Sequence, residues 1–174
     1  LLLVTGVVVV AGIVLAEPVV GLLAREYASV PGKAELTTTL TRILFPFLTL
    51  VAVAAALMGM LNSLRRFFVP ALSPVMFNVA MILSVVALVP IMPRFGLQPI
   101  VGMALGALLG GLGQVAVQCP ALYREGYRYR AVLDHRDPGL REVLRLMGPA
   151  TLGLAAVQIN LLVNVILATG QGTG

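Results

Sequence analysis

Amide side chains inside long apolar runs are the first residues of this 174-residue sequence whose chemistry demands an account: Asn62, Asn78, Gln114, Gln118, Gln158, Asn160 and Asn164. Moving an amide out of water without a hydrogen bond costs on the order of 2–7 kcal/mol, so each needs a partner or a wet cavity. Asn160 and Asn164 are four positions apart and share one helix face, with Gln158 on the other side of the turn. That face either lines a cavity or makes hydrogen bonds between helices, each contributing about 1 kcal/mol or less. Asn78 and Gln114 carry the same two readings.

Other reactive residue types are sparse. Glu17 is the only acid inside an apolar run. It either snorkels to the interface near Arg25 or sits at membrane depth, where a charge costs about 3 kcal/mol by insertion scales. Cys119 is the single cysteine and lies in an apolar run, which excludes a disulfide framework and leaves a packing residue. His135, the single histidine, falls in Asp134-His-Arg-Asp137 with too few partners for a metal site or proton relay and reads as a solvated loop residue. No cofactor and no metal are expected. Tyr123-Arg-Glu-Gly-Tyr-Arg-Tyr-Arg130 interleaves aromatics with arginines, a pattern that places rings at headgroup level and guanidinium groups on lipid phosphates.

The elements carrying these residues belong in lipid. Hydrophobic residues make up 59% of the chain and charged residues 11%, with a mean hydropathy of +1.01, whereas about a quarter of an average soluble domain is charged. The apolar residues are gathered in blocks: residues 1–24 hold one charge, and 43–64, 67–93, 95–123 and 146–174 hold none. A bilayer core of roughly 30 Å takes about 20 helical residues, so each block is expected to cross once, at about 1–24, 43–64, 71–93, 98–123 and from 146 onward. A signal peptide has a shorter apolar region and would occur once. With no initial methionine and an apolar run at each end, the sequence is expected to continue on both sides.

Basic residues set the orientation, because cytoplasmic loops are enriched in them. The second and fourth connections hold eight (Arg65, Arg66, Arg124, Arg128, Arg130, Arg136, Arg141, Arg145), and the first and third hold four (Arg25, Lys33, Arg42, Arg94). The residue 1 end and the loops 65–70 and 124–145 are therefore placed in the cytoplasm. The net charge of +5 is explained by this asymmetry and by anionic headgroups, and no nucleic acid is needed as a partner.

Gly102, Gly106 and Gly110 form a smooth strip on the fourth span, and Ala55, Gly59 and Ser63 a similar one on the second, as at helix contacts in lipid. Bundle packing explains both strips better than a specific dimer. Pro18, Pro46, Pro74, Pro120 and Pro149 each remove a backbone donor and can kink a helix. Asp137-Pro138 reads as a cap followed by a first helical position, opening a short interfacial helix with Leu140, Val143, Leu144 and Met147 on its apolar stripe. It is expected to bend at Gly148-Pro149 into the last span, which divides the chain into 1–136 and 137–174.

Gly59-Met-Leu-Asn-Ser-Leu-Arg-Arg-Phe-Phe-Val-Pro-Ala-Leu-Ser-Pro-Val-Met-Phe-Asn78 resembles the signature joining the fourth and fifth helices of the bacterial lipid II flippases, the MurJ/MviN family of the MOP exporter superfamily. Phe45-Pro46, Gly110-Gly-Leu-Gly-Gln114 through Pro120, Arg145-Leu-Met-Gly-Pro-Ala150 and Gln158-Ile-Asn-Leu-Leu-Val-Asn164 resemble the same family in the same order. The resemblance covers essentially the whole chain. It implies an all-α membrane protein whose five spans are the third to seventh helices of a fourteen-helix, two-lobed transporter in the bacterial inner membrane. The first four would end the amino-terminal lobe and the fifth begin the carboxyl-terminal one.

The same resemblance implies movement of lipid-linked peptidoglycan precursor from inner to outer leaflet by alternating access, with membrane lipid, lipid II and the missing helices as partners. The family's cavity arginines lie on its first, second and eighth helices, outside this chain. Its seventh helix can carry a sodium-binding aspartate, and the matching position here is Asn164, so sodium or proton coupling stays open. Arg65 and Arg66 are candidates for a cytoplasmic gate or a phosphate contact where substrate arrives, or only set topology. Two rivals remain: a related exporter of drugs or other lipid-linked sugars, and a membrane-embedded enzyme or scaffold. The enzyme should show paired carboxylates for magnesium, and Asp134 and Asp137 are isolated among arginines.

Overall fold

The computed structural model describes residues 1–23, 31–130 and 138–170, and apart from turns the described residues are helical. The elements in order are α1 (Leu2–Leu23), α2 (Lys33–Ser63), α3 (Phe68–Ala87), a 3-10 turn (Met92–Phe95), α4 (Pro99–Arg124) and α5 (Pro138–Gly170). Among the described residues four helices, α1 to α4, are long and apolar enough to cross a membrane. They present Phe68, Val86 and Val14 to the outside at 76%, 71% and 67% exposure. Such surfaces are stable against hydrocarbon and not against water, and the chain is a multi-pass membrane protein. Two compact units are present, residues 1–128 and 129–174.

α2 starts at Lys33 and not at the apolar boundary Ile43. Pro31-Gly32 turns the chain, with Gly32 at φ 76, and Glu35 lies in the first turn where the helix dipole favours an acid. The threonines that follow satisfy themselves on the helix: Thr37 Oγ1 donates to the Lys33 carbonyl (2.8 Å) and Thr41 Oγ1 to that of Thr37 (2.7 Å). At 1.5 Å per residue its 31 residues reach about 46 Å, well past a bilayer core. The spans were expected to hold no basic residue, yet Arg42 lies within α2.

α3 ends at Ala87, short of the expected 93. Pro90 has no N–H to continue the ladder, and the amides of Leu88 and Val89 both turn back to the Ser84 carbonyl (2.8 and 3.0 Å). Every expected kink proline lies inside its helix and ends none of them. In particular α5 is one helix from Pro138 to Gly170, where an interfacial piece and a separate span were expected. Next to Pro149, Thr151 Oγ1 donates to the Met147 carbonyl (2.8 Å). Asp134, His135 and Asp137 lie outside the described residues, as do the side chains of Leu140 and Leu144.

Glycine decides which helices touch. α4 lies against both α2 and α3. A Cβ at Gly102 would stand 2.9 Å from the Val89 nitrogen, one at Gly106 would overlap Ser84, and one at Gly110 would stand 2.6 Å from Phe77 Cδ2. Gly111 faces α2 instead, where a Cβ would be 2.9 Å from Leu50 Cβ and 3.1 Å from Phe47. Phe47 and Phe77 meet across this glycine pair with centroids 5.6 Å apart at 38°, a tilted contact that adds about 0.5–1.5 kcal/mol to the area buried. On the other side of α2, Phe45 occupies the space a side chain at Gly12 of α1 would need.

Candidate functional site

Polar side chains gather at three places in the first unit and one in the second. The most enclosed is the junction of α2, α3 and α4. Gln118 of α4 is fully buried, and its Nε2 donates toward the Ala54 carbonyl (3.3 Å), Ser73 Oγ (3.1 Å) and the Gln114 carbonyl (3.0 Å). Ser73 Oγ in turn donates to Gln114 Oε1 (3.5 Å). One amide thus touches all three helices. Its own Oε1 is buried with no partner, and so is Ser84 Oγ, opposite Gly106. Polar groups left unsatisfied in an apolar interior cost about 1–3 kcal/mol each.

The second place is where α2 and α4 end side by side. Both stop in the same way: the amide of Arg66 bonds the Leu61 carbonyl and that of Arg65 the Asn62 carbonyl, while Tyr127 bonds Leu122 and Gly126 bonds Tyr123, all at 2.9–3.1 Å. This double bond pattern needs a left-handed residue after the helix. Gly126 supplies it at φ 85, and Arg65 supplies it at φ 57. An ion pair, Arg66 Nε to Glu125 Oε1 at 2.7 Å, ties the two ends together. Arg128 Nη1 donates to the carbonyls of Tyr123 and Tyr127, both at 3.0 Å, and its guanidinium lies 5.1 Å from the Tyr123 ring centre.

At the opposite ends of the α1–α2 pair, Arg42 Nη2 lies 3.4 Å from Glu17 Oε2, and its Nε donates to the Ile13 carbonyl (3.3 Å). Pro18 leaves the neighbouring Val14 carbonyl without its helical donor, so Arg42 reaches α1 where its ladder is already interrupted. Glu17 therefore has a partner on α2. Exposed pairs of this kind contribute about 0.2–1 kcal/mol.

In the second unit, Asn164 Nδ2 donates to Asn160 Oδ1 at 3.3 Å, so the two amides that share a face also bond each other. Gln158 is exposed on the same helix. Of the remaining expected site residues, Asn78 is exposed on α3 and Gln114 is half-buried in the three-helix junction. Gly102, Gly106 and Gly110 lie on the α3 contact, whereas Gly59 is exposed and a Cβ there would meet nothing within 4 Å. Among the described residues nothing covers Gly59, so the expected helix contact there is not made within them. Residue types alone did not single out Ser73, Ser84 or Glu125, because each acquires its role only from a neighbour on another helix.

A family model described as "Lipid II flippase MurJ" matches residues 1–173. The chain is 39% identical over 143 residues to a probable lipid II flippase MurJ of Vibrio cholerae serotype O1, covering 82% of this chain and 26% of that protein. It is 36% identical over 175 residues to a probable lipid II flippase MurJ of Bdellovibrio bacteriovorus, covering 100% and 33%. Against a lipid II flippase MurJ of Burkholderia cenocepacia it is 32% identical over 145 residues, covering 80% and 27%. The chain spans a third or less of the length of these curated relatives.

Proposed function

The chain belongs to the lipid II flippase MurJ family, and from that premise we propose that it is part of a transporter moving lipid-linked peptidoglycan precursor from the inner to the outer leaflet of the bacterial inner membrane. The observation that carries this reading is the family match over residues 1–173. In it the protein is a flippase and not an enzyme. Helices α1 to α4 are the third to sixth of fourteen, and α5 contains a fifth crossing that opens the second lobe. The ends of α2 and α4 face the cytoplasm, in keeping with the eight basic residues in loops 65–70 and 124–145.

The physical task is to carry a pyrophosphate-sugar headgroup through hydrocarbon while its polyprenyl tail stays in lipid. The first unit suits a wall for such a path: its helices are held by close glycine contacts and one buried amide network, with no charge in the three-helix junction. Asn160 and Asn164 are the cavity or ion-site residues of this reading, since two bonded amides on one face offer uncharged oxygens to a cation or hydroxyl. Arg65 and Arg66 stand at the cytoplasmic gate.

Growth of cells depleted of their own flippase, rescued by the full-length protein, tests this reading. Rescue is expected, and translocation of lipid II in reconstituted vesicles should accompany it; vesicles that move a drug but no lipid II would overturn the assignment. Replacing Asn164 with leucine should lower lipid II flux at unchanged protein level, and normal flux would return Asn164 to a packing role.

A further inference from the structure

At the junction of α2 and α4 the arginines divide into two kinds. Helix carboxyl ends carry about half a negative charge each, and Glu125 adds a full one. Arg66 answers Glu125 at 2.7 Å, and Arg128 answers the exposed carbonyls of Tyr123 and Tyr127. Arg66 thus ties the end of α2 to that of α4, and Arg128 closes the end of α4 on itself. Arg65 and Arg124 flank the Arg66–Glu125 pair in sequence, both are exposed, and among the described residues neither guanidinium has a hydrogen bond or ion pair.

Local structure gives no reason for an arginine at position 65. Its left-handed φ of 57 costs a non-glycine residue about 1–2 kcal/mol, and the equivalent place at the end of α4 is filled by Gly126. Next to Arg124, Tyr123 is 54% exposed at the end of a membrane-crossing helix, the depth at which tyrosine meets headgroups. Planar guanidinium groups match phosphate oxygens with two parallel bonds. The phosphate nearest such a site is that of the surrounding leaflet.

We infer that Arg65 and Arg124 bind the phosphate of an anionic glycerophospholipid at the α2–α4 junction, while Arg66 and Arg128 are structural. The inference rests on the reading above that these helix ends face the anionic cytoplasmic leaflet. Bound there, the lipid clips the ends of two helices that are otherwise joined by one exposed ion pair.

Native mass spectrometry of the detergent-solubilised full-length protein, titrated with phosphatidylglycerol, tests it. Arg65→Gln with Arg124→Gln should weaken the first binding step about thirtyfold, following the usual contribution of a basic residue near an anionic surface. Arg66→Gln with Arg128→Gln should change it less than threefold while lowering the thermal midpoint. If the first double variant does not fold, Arg124→Gln alone should weaken binding about fivefold. Equal weakening by both pairs, which marks diffuse attraction, or no weakening by the first pair overturns the site. So does an effect confined to lipid II or to inorganic phosphate. Detergent presents lipid to both ends of the protein, so binding is read whichever side the junction faces. Maleimide labelling of Arg65→Cys in intact cells tests the orientation by itself, and labelling from the periplasm would sink the orientation without touching the binding result.

Discussion

Two strips of small residues look alike in the sequence and do opposite things in the molecule. Gly102, Gly106 and Gly110 on α4 let α3 approach until Ser84 and Phe77 fill the space of the missing side chains. Ala55, Gly59 and Ser63 on α2 have the same spacing but are exposed, with nothing within 4 Å of a Cβ at Gly59. Four-residue spacing of small side chains states that a helix offers a smooth face. It does not state that a partner is present. What separates the strips is the opposite surface: α3 brings Ser84 and Phe77 into register with the α4 glycines, while the α2 strip lies on the side away from α4, which α2 meets instead through Ala54, Leu50 and Phe47.

The largest effect expected from this contrast is at Gly106. Leucine there must displace Ser84 along with the α3 backbone, a cost of at least about 3 kcal/mol given that even modest overpacking costs 1–3. The full-length protein carrying Gly106→Leu should be lost from the membrane fraction, and Gly106→Ala should fold with a lowered thermal midpoint. A normal level of Gly106→Leu would mean that α3 and α4 are not locked and slide past each other in use.

A smaller effect should come from Gln118, whose amide links the α3–α4 seam to α2. Methionine has the same length without the donors. Gln118→Met should destabilise the full-length protein by about 1 kcal/mol, near the usual size of such bonds within membranes. The sign is informative because Gln118 Oε1 is itself unsatisfied. A gain in thermal stability on substitution would show that the orphan oxygen outweighs the three contacts, and that the amide is kept for some other reason.

Much of this was legible before any coordinates. Blocks with one charge or none announced the first four helices, because apolar side chains are what hydrocarbon tolerates, and the α4 glycines announced a close contact. The start of α2 was not legible, since Thr37 and Thr41 read as polar until their hydroxyls are seen bonded to their own helix. The end of α2 was legible in position, since the apolar block closes at 64, one residue past Ser63, but not in form: Arg65 adopts the left-handed conformation that glycine supplies at Gly126. Arg66 with Glu125, and Glu17 with Arg42, are pairings across helices that no local pattern encodes. At the candidate site, the spacing of Asn160 and Asn164 put them on one face but did not announce that they bond each other, and the central role of Gln118 depended on which three helices meet.

The smallest expected effect is at Gly59, and it bears hardest on the contrast between the strips. If the outward face of α2 meets only lipid tails, leucine there adds apolar surface to an apolar solvent and should shift stability by no more than about 0.5 kcal/mol, with lipid II flux unchanged. The full-length protein is the right subject, because the chain spans a third or less of its relatives' length. Thermal midpoints of Gly59→Leu and Gly106→Leu measured side by side give the ratio directly. A loss at Gly59 as large as that at Gly106 would mean that residues beyond these 174 press against the α2 strip as closely as α3 presses against α4. The two strips would then be one kind of surface after all, distinguished only by which part of the longer protein covers them.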